Sequence, residues 1–136
     1  MAETFTLSIY VPDKRFLELE ATEVLFTKPE GRLGVMAGHM PMVASVVEGI
    51  VEILEDGQWK TAAVSQGFAE INGDKVSFFV GTAEWASEID TARAHEALQR
   101  AEQRLNSDLS RVEYTRTRTA IARALARLKA AEIAKK

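Results

Sequence analysis

Residues 83–94 read AEWASEIDTARA, and the chain changes character inside this stretch. Upstream of Trp85 the apolar residues recur at every second position, the period of a half-buried strand. Phe5, Leu7, Ile9 and Val11 alternate with Thr4, Thr6, Ser8 and Tyr10, which gives the first segment one apolar face. Pro12-Asp13 marks a turn, Val24 and Phe26 alternate again, and Lys28-Pro29-Glu30-Gly31 ends that run. Asp56-Gly57 lies between Val51/Ile53 and Thr61/Ala63, and Asn72-Gly73 between Phe68/Glu70 and Val76/Phe78/Val80. Both dipeptides predict hairpins. Many short strands joined by closely spaced glycine turns indicate a sandwich or barrel, and roughly 85 residues can bury one modest core of that kind.

Downstream the period is helical. Ala94, Ala97, Leu98, Ala101 and Leu105 form an i, i+3, i+4, i+7 stripe, and Ser87 with Asp90 three residues later resembles a capping pattern. The cap-forming run Asn106-Ser107-Asp108-Leu109-Ser110 interrupts the stripe. A second helix is expected to resume near Val112, with Ile121, Ala124, Leu125, Leu128 and Ala131 as its apolar stripe. Two alanine-rich helices separated by so short a break predict an antiparallel hairpin. Both stripes are thin, so the hairpin is expected to dock weakly and to be able to leave. The reading is mainly β plus α, with a β domain over residues 1–86 and a two-helix domain over 87–136.

The composition narrows the function. The chain has 136 residues, 46% hydrophobic and 27% charged, as in ordinary globular proteins. It contains no cysteine, which removes disulfides, thiol nucleophiles and cysteine-ligated zinc. The start lacks the basic and apolar regions of a secretory signal, and the most apolar stretch, Met40 to Ile53, is broken by Glu48 and Gly49, so a soluble protein is expected. The net charge of −3 hides an asymmetry: residues 111–136 carry eight basic and two acidic side chains, against nine basic and eighteen acidic in residues 1–110. A basic tail of this kind meets nucleic acid, phosphate, an acidic protein or its own acidic body, or it is a solvated helix face.

The usual enzyme constellations are absent from the sequence. His39 and His95 are far apart and belong to no metal-ligand spacing, so no metal site is expected. Neither a Walker A motif nor a G-x-S-x-G elbow occurs. No base and nucleophile pair can be named, and a catalytic role is rejected.

Three stretches do carry a family resemblance. Gly31-Arg32-Leu33-Gly34-Val35-Met36-Ala37-Gly38-His39-Met40-Pro41-Met42 resembles the glycine-turn and Gly-His-x-Pro-Leu segment of the epsilon subunit of F-type ATP synthases. Ser65-Gln66-Gly67-Phe68-Ala69-Glu70-Ile71 resembles that family's Ser-Gly-Gly-Phe-Leu-Glu-Val strand, and Ile89-Asp90-Thr91-Ala92-Arg93-Ala94 matches its [IL]-D-x-x-R-A motif in full. Order, spacing and architecture agree over the whole chain. The resemblance implies a two-sheet sandwich of about ten strands followed by two C-terminal helices. It implies a non-catalytic rotor subunit of the central stalk, coupling ion translocation to ATP synthesis at the cytoplasmic face of the cell membrane. The sandwich would bind the gamma subunit and the ring of c subunits. The helices would lie folded on the sandwich or extend into the catalytic head of alpha and beta subunits, where they block ATP hydrolysis. In several bacterial members the folded hairpin binds ATP without hydrolysing it; no catalytic cofactor is implied.

Taken singly, Asp90 reads as an N-cap or first-turn acid, and Arg123 with Arg127, four apart on one helix face, reads as a solvated pair. An antiparallel hairpin brings Asp90 and Arg93 towards Arg123 and Arg127, with Arg100 on a nearby face. Three or four guanidiniums converging with no acid between them would repel one another unless an anion sits there, and a triphosphate suits arginine's planar fork. By resemblance, Glu84, Ile89, Asp90 and Ala94 line the base side, while Arg93, Arg100, Arg123 and Arg127 face the phosphates. His39 is expected to orient its loop near the gamma contact. Arg32 occupies a position near the c-ring loops that is acidic or polar in many members. His95 reads as solvent-exposed, and Trp59 and Trp85 as packed on the sheet or at its end. Two alternatives remain at this stage. One is a small β-barrel that binds nucleic acid through its basic tail, although its acidic β part lacks interleaved lysines and aromatics. The other is a hairpin that couples structurally and binds no ATP.

Overall fold

The computed structural model describes residues 3–134. The strand period of the first half becomes ten strands: β1 (Phe5–Val11), β2 (Lys14–Ala21), β3 (Glu23–Lys28), β4 (Gly31–Met36), β5 (Met42–Val46), β6 (Gly49–Glu55), β7 (Gln58–Val64), β8 (Gly67–Ile71), β9 (Lys75–Val80) and β10 (Ala83–Trp85). They build two five-stranded sheets, ordered β2-β1-β9-β8-β5 and β10-β7-β6-β3-β4. Neighbours are antiparallel except β1 and β9, which run parallel. This is the expected two-sheet sandwich. Its core is the set of alternate residues predicted to point inward: Phe5, Leu7 and Ile9 from β1, Val24 and Phe26 from β3, and Val76, Phe78 and Val80 from β9 are all buried. Phe26 and Phe78 meet across the two sheets, edge to face, at 5.0 Å between ring centroids.

The two predicted hairpins form by different means. Asp56 and Gly57 both take positive φ, 51° and 77°, and close a two-residue connection whose twist matches the flanking strands. At Asn72-Gly73 the loop is longer, because Ile71 pairs with Val76. Asn72 N–H donates to the Lys75 carbonyl at 2.8 Å, and neither Asn72 nor Gly73 needs a left-handed backbone there. Gly67 is fixed by contact: a Cβ at that position would lie 1.9 Å from the Phe79 carbonyl oxygen.

Beyond a 3-10 turn at Ala86–Glu88 come α1 (Thr91–Leu105) and α2 (Arg111–Ala134). Of the two capping readings, that of Asp90 holds: Ser87 lies in the 3-10 turn, and Asp90 caps α1 by accepting the Arg93 N–H at 3.1 Å. Ser110 and Glu113 form a reciprocal pair at the start of α2. The Ser110 hydroxyl donates to Glu113 Oε1 at 2.9 Å and accepts the Glu113 N–H at 3.2 Å.

The hairpin packs on the outer face of the second sheet, where Ile50 of β6 and Ala63 of β7 stand side by side. Ala130 of α2 joins them with Ala86 in a small buried cluster flanked by Ile89 and Ile133. The helical stripe is partly reassigned. Ala94, Ala101, Ala124 and Ala131 are buried as expected, whereas Leu125 is 52% exposed. Thr117 and Ala130, outside the predicted stripe, are buried. The reason is that α2 packs against α1 and the sandwich together, so its buried surface covers two sides and one stripe cannot describe it. Among the described residues, no helix packs on the opposite face of the sandwich. There Tyr10, Phe79 and Phe68 stack in a row across β1, β9 and β8, at 5.3 and 5.0 Å between rings.

Candidate functional site: a cavity between sandwich and hairpin

Glu84 is the middle residue of β10, the edge strand of the second sheet, and pairs with Ala63. Ala63 faces the hairpin, so Glu84 projects to the same side. Arg127 reaches it from α2. Nε donates to Oε1 at 2.7 Å and Nη2 donates to Oε2 at 3.1 Å, a two-bond fork between groups 43 residues apart. The two side chains are 33% and 34% exposed, so solvent still screens the pair.

Beside this pair lies a cavity of about 460 Å³. The sandwich contributes Ala63, Val64, Ser65, Thr82, Ala83 and Glu84, α1 contributes Ala97, and α2 contributes Ala120, Arg123, Ala124, Ala126 and Arg127. Alanine makes half of the wall, which leaves the space open. Ser65 is buried, and its Oγ accepts the Thr82 N–H at 2.7 Å, tying the end of β7 to the turn before β10.

The structure gathers three of the predicted residues, Glu84, Arg123 and Arg127, into this wall. Arg93 and Arg100 are exposed on α1, four residues before and three after Ala97, and therefore share its face of the helix. Asp90 is engaged as the cap of α1, Ile89 packs on the small cluster under the hairpin, and Ala94 is fully buried. The expectation of guanidiniums with no acid between them needs correcting. Glu84 neutralises Arg127, because two arginines four apart on one helix are eased by a carboxylate on the facing strand. Among the described residues, Arg93, Arg100 and Arg123 take part in no ion pair. Arg123 is thus an unpaired positive charge in the cavity wall, and Arg93 and Arg100 stand exposed on the α1 face that bears Ala97. Such a site favours an elongated anion, and arginine forks match phosphate oxygens. Among the described residues, no three acidic or histidine side chains gather to hold a metal.

Arg32 and His39 lie elsewhere. Arg32 is on β4, the edge of the second sheet farthest from β10, and donates to Glu52 at 3.0 Å and Thr27 at 3.3 Å. The His39 ring nitrogen Nδ1 is 2.8 Å from the Met40 carbonyl, which holds the loop between β4 and β5. The residues that sequence reasoning missed are Ser65, Thr82 and the alanines of the wall. Ser65 lay within a quoted family segment, but the β7–β10 pairing that places it beside Thr82 joins strands separated by β8 and β9. No local pattern announces such a pairing.

Comparison with known proteins agrees with this architecture. Residues 4–86 match the family model of the ATP synthase Delta/Epsilon chain beta-sandwich domain, and residues 87–132 match that of its long alpha-helix domain. The chain is 47% identical over 127 residues to the ATP synthase epsilon chain of Ruminiclostridium cellulolyticum, covering 93% of this chain and 95% of that one. It is 39% identical over 132 residues to the ATP synthase epsilon chain of Caldanaerobacter subterraneus subsp. tengcongensis, covering 96% of each. A chain in the structure of the Euglena gracilis mitochondrial ATP synthase has the same fold, with a TM-score of 0.82 at 24% identity over 98% of this chain and 82% of that one. Matches over both parts of the chain, at this identity and in this order, leave one conclusion: the chain belongs to the epsilon chain family of ATP synthases.

Proposed function

We propose that the chain is a non-catalytic central-stalk subunit of an F-type ATP synthase, coupling rotation to ATP synthesis and restraining ATP hydrolysis through its helices. In this reading the sandwich binds the gamma subunit and the c-ring, and the complex brings the chain to the cytoplasmic face of the membrane. Among the described residues no helix is long and apolar enough to cross a bilayer. The hairpin, docked as described, is the non-inhibiting form; extended, it meets the alpha and beta subunits of the head. Its basic second helix suits acidic loops there.

We propose further that the docked hairpin binds ATP without hydrolysing it. The observation that carries this is the cavity of about 460 Å³ walled by Arg123 and Arg127, with Arg93 and Arg100 on the α1 face that also bears Ala97. Arginines receive the triphosphate, and the region of Glu84, Ile89, Asp90 and Ala94 receives the base. Since ATP would bind only the docked form, linkage makes it stabilise that form against the extended one. Isothermal titration of the chain with ATP, paired with thermal denaturation, tests the reading. Saturable binding, a raised melting temperature and weaker binding of ADP are expected. No heat and no shift in melting at millimolar ATP would reduce the hairpin to a structural clamp.

A further inference from the structure

Four of the five ion pairs among the described residues lie within the sandwich: Arg15–Glu18, Lys28–Glu30, Arg32–Glu52 and Lys60–Glu55. The fifth, Arg127–Glu84, joins the sandwich to the hairpin. It stands where apolar docking is thin. The buried cluster under the hairpin is Ile50, Ala63, Ala86 and Ala130, and alanine contributes little apolar area. A two-bond ionic fork therefore adds a directional tie between α2 and the sandwich beside this thin apolar contact.

The fork also leaves part of Arg127 unused. A guanidinium has five N–H donors, and Glu84 takes one from Nε and one from Nη2. Of the three remaining donors, one on Nη1 and one on Nη2 form the end-on edge, which is a second fork. Because the guanidinium is planar and Glu84 fixes its plane, the direction of that second edge is set before any ligand arrives. Arg127 and Glu84 both line the cavity.

We infer that Glu84 is a positioning residue with two linked tasks: it latches the docked hairpin through Arg127, and it holds the free edge of Arg127 ready for a polyphosphate in the cavity. The second task rests on the proposed anion site; the first does not. Ligand and latch then act in the same direction, because both need Arg127 at the same place. When the hairpin leaves, the latch and the anion site are lost together, which couples occupancy of the cavity to docking without any contact between ligand and sandwich core.

Two substitutions in the full chain separate these tasks. Glu84→Gln keeps the shape and removes the charge, so one acceptor oxygen replaces the two-bond fork. Without ligand, amide hydrogen exchange in α2 should speed up roughly 5- to 20-fold, the scale of losing a charged hydrogen bond that solvent partly screens, while exchange in β1 and β9 stays as in the parent. Unchanged exchange in α2 overturns the latch. Arg127→Lys keeps a positive charge that can still meet Glu84, but it has no second fork. Its α2 amides should remain better protected than those of Glu84→Gln, while its affinity for inorganic tripolyphosphate falls at least about 10-fold. Equal tripolyphosphate affinity in Arg127→Lys and the parent overturns the positioning task. If the parent binds neither tripolyphosphate nor ATP, the anion-site reading and the positioning task fail together. The exchange result for Glu84→Gln still decides the latch.

Discussion

The sandwich buries Phe5, Phe26 and Phe78 at no more than 1% exposure, together with Leu7, Ile9, Ile53 and Ile71. The hairpin buries Ala94, Ala101, Thr117, Ala124, Ala130 and Ala131. Both regions are ordered and pack by the same physics, but the area each residue removes from water differs several-fold. A buried phenylalanine is worth about 1.5–3 kcal/mol relative to exposure, and a methyl side chain only a fraction of that. The contrast shows that one part of this chain is held by a core of large side chains and the other rests on small ones. Small side chains let α1 and α2 approach each other closely and leave an open space against the sheet. Larger side chains at Ala63, Ala97 or Ala124 would fill the cavity and anchor the hairpin by the same stroke. Weak docking and an available cavity are thus one property of the alanine wall.

The largest effect belongs to the sandwich. Phe78→Ala removes the ring that meets Phe26 across the sheets and leaves a void in a core with no space to collapse. A loss of about 3–5 kcal/mol is expected, measured by urea denaturation of the strands. A loss under about 1 kcal/mol would mean that the sandwich core is as forgiving as the hairpin interface, and the contrast would collapse.

An intermediate effect is expected at the interface between the two regions. Ala130 is fully buried against Ile50, Ala63 and Ala86. Ala130→Asp places an unpaired carboxylate there, and the chain can avoid that cost by releasing the hairpin, an escape that a core residue lacks. The expected result is fast amide exchange throughout α1 and α2, with a sandwich melting transition still cooperative and lowered by only about 1–3 kcal/mol. Joint unfolding of strands and helices would show instead that the two regions form one cooperative unit.

How far the sequence could be read follows the same division. Strand periodicity placed Phe5, Leu7, Ile9, Val24, Phe26 and Phe78 in the core, because a strand with one buried face writes that face at every second residue. The hairpin was legible as two helices but not as a packed object. Alanine marks a helix equally well on a buried or an exposed side, so the stripe points Leu125 inward and passes over Ala130. In the cavity, the family resemblance names Glu84, Arg123 and Arg127, and nothing names the alanine wall. The Glu84–Arg127 fork spans 43 residues and two types of structure, and its geometry depends on how far α2 sits from β10. Charge pattern along the chain says nothing about that distance. The outcome at the helix start has a simpler cause. Ser87 and Asp90 both carry capping oxygens, but Ser87 lies inside the 3-10 turn at Ala86–Glu88, and Asp90 is the residue directly before α1.

The smallest effect is expected at that helix start, where a structural role and a ligand role share one side chain. Asp90 accepts the Arg93 N–H through Oδ1 at 3.1 Å, and its backbone carbonyl accepts the Ala94 N–H at 3.1 Å. Asp90→Ala removes the side-chain bond and keeps the backbone one, so the first turn of α1 should fray at a cost of about 1 kcal/mol, with the sandwich untouched. Loss of ATP affinity in this variant alone would not identify a contact, since Arg93 moves with the turn. Asp90→Asn resolves the ambiguity: asparagine caps a helix about as well as aspartate but carries no charge. If Asn restores both the protection of the first-turn amides and ATP affinity, Asp90 serves the site only by fixing Arg93. If Asn restores protection and affinity remains low, the carboxylate itself meets the ligand. The comparison of regions then gains a third element: a residue of the hairpin that, unlike the alanines, is specific to the ligand. An unfrayed first turn in Asp90→Ala would remove the cap from both accounts, and would assign the start of α1 to Ile89 packed beneath it.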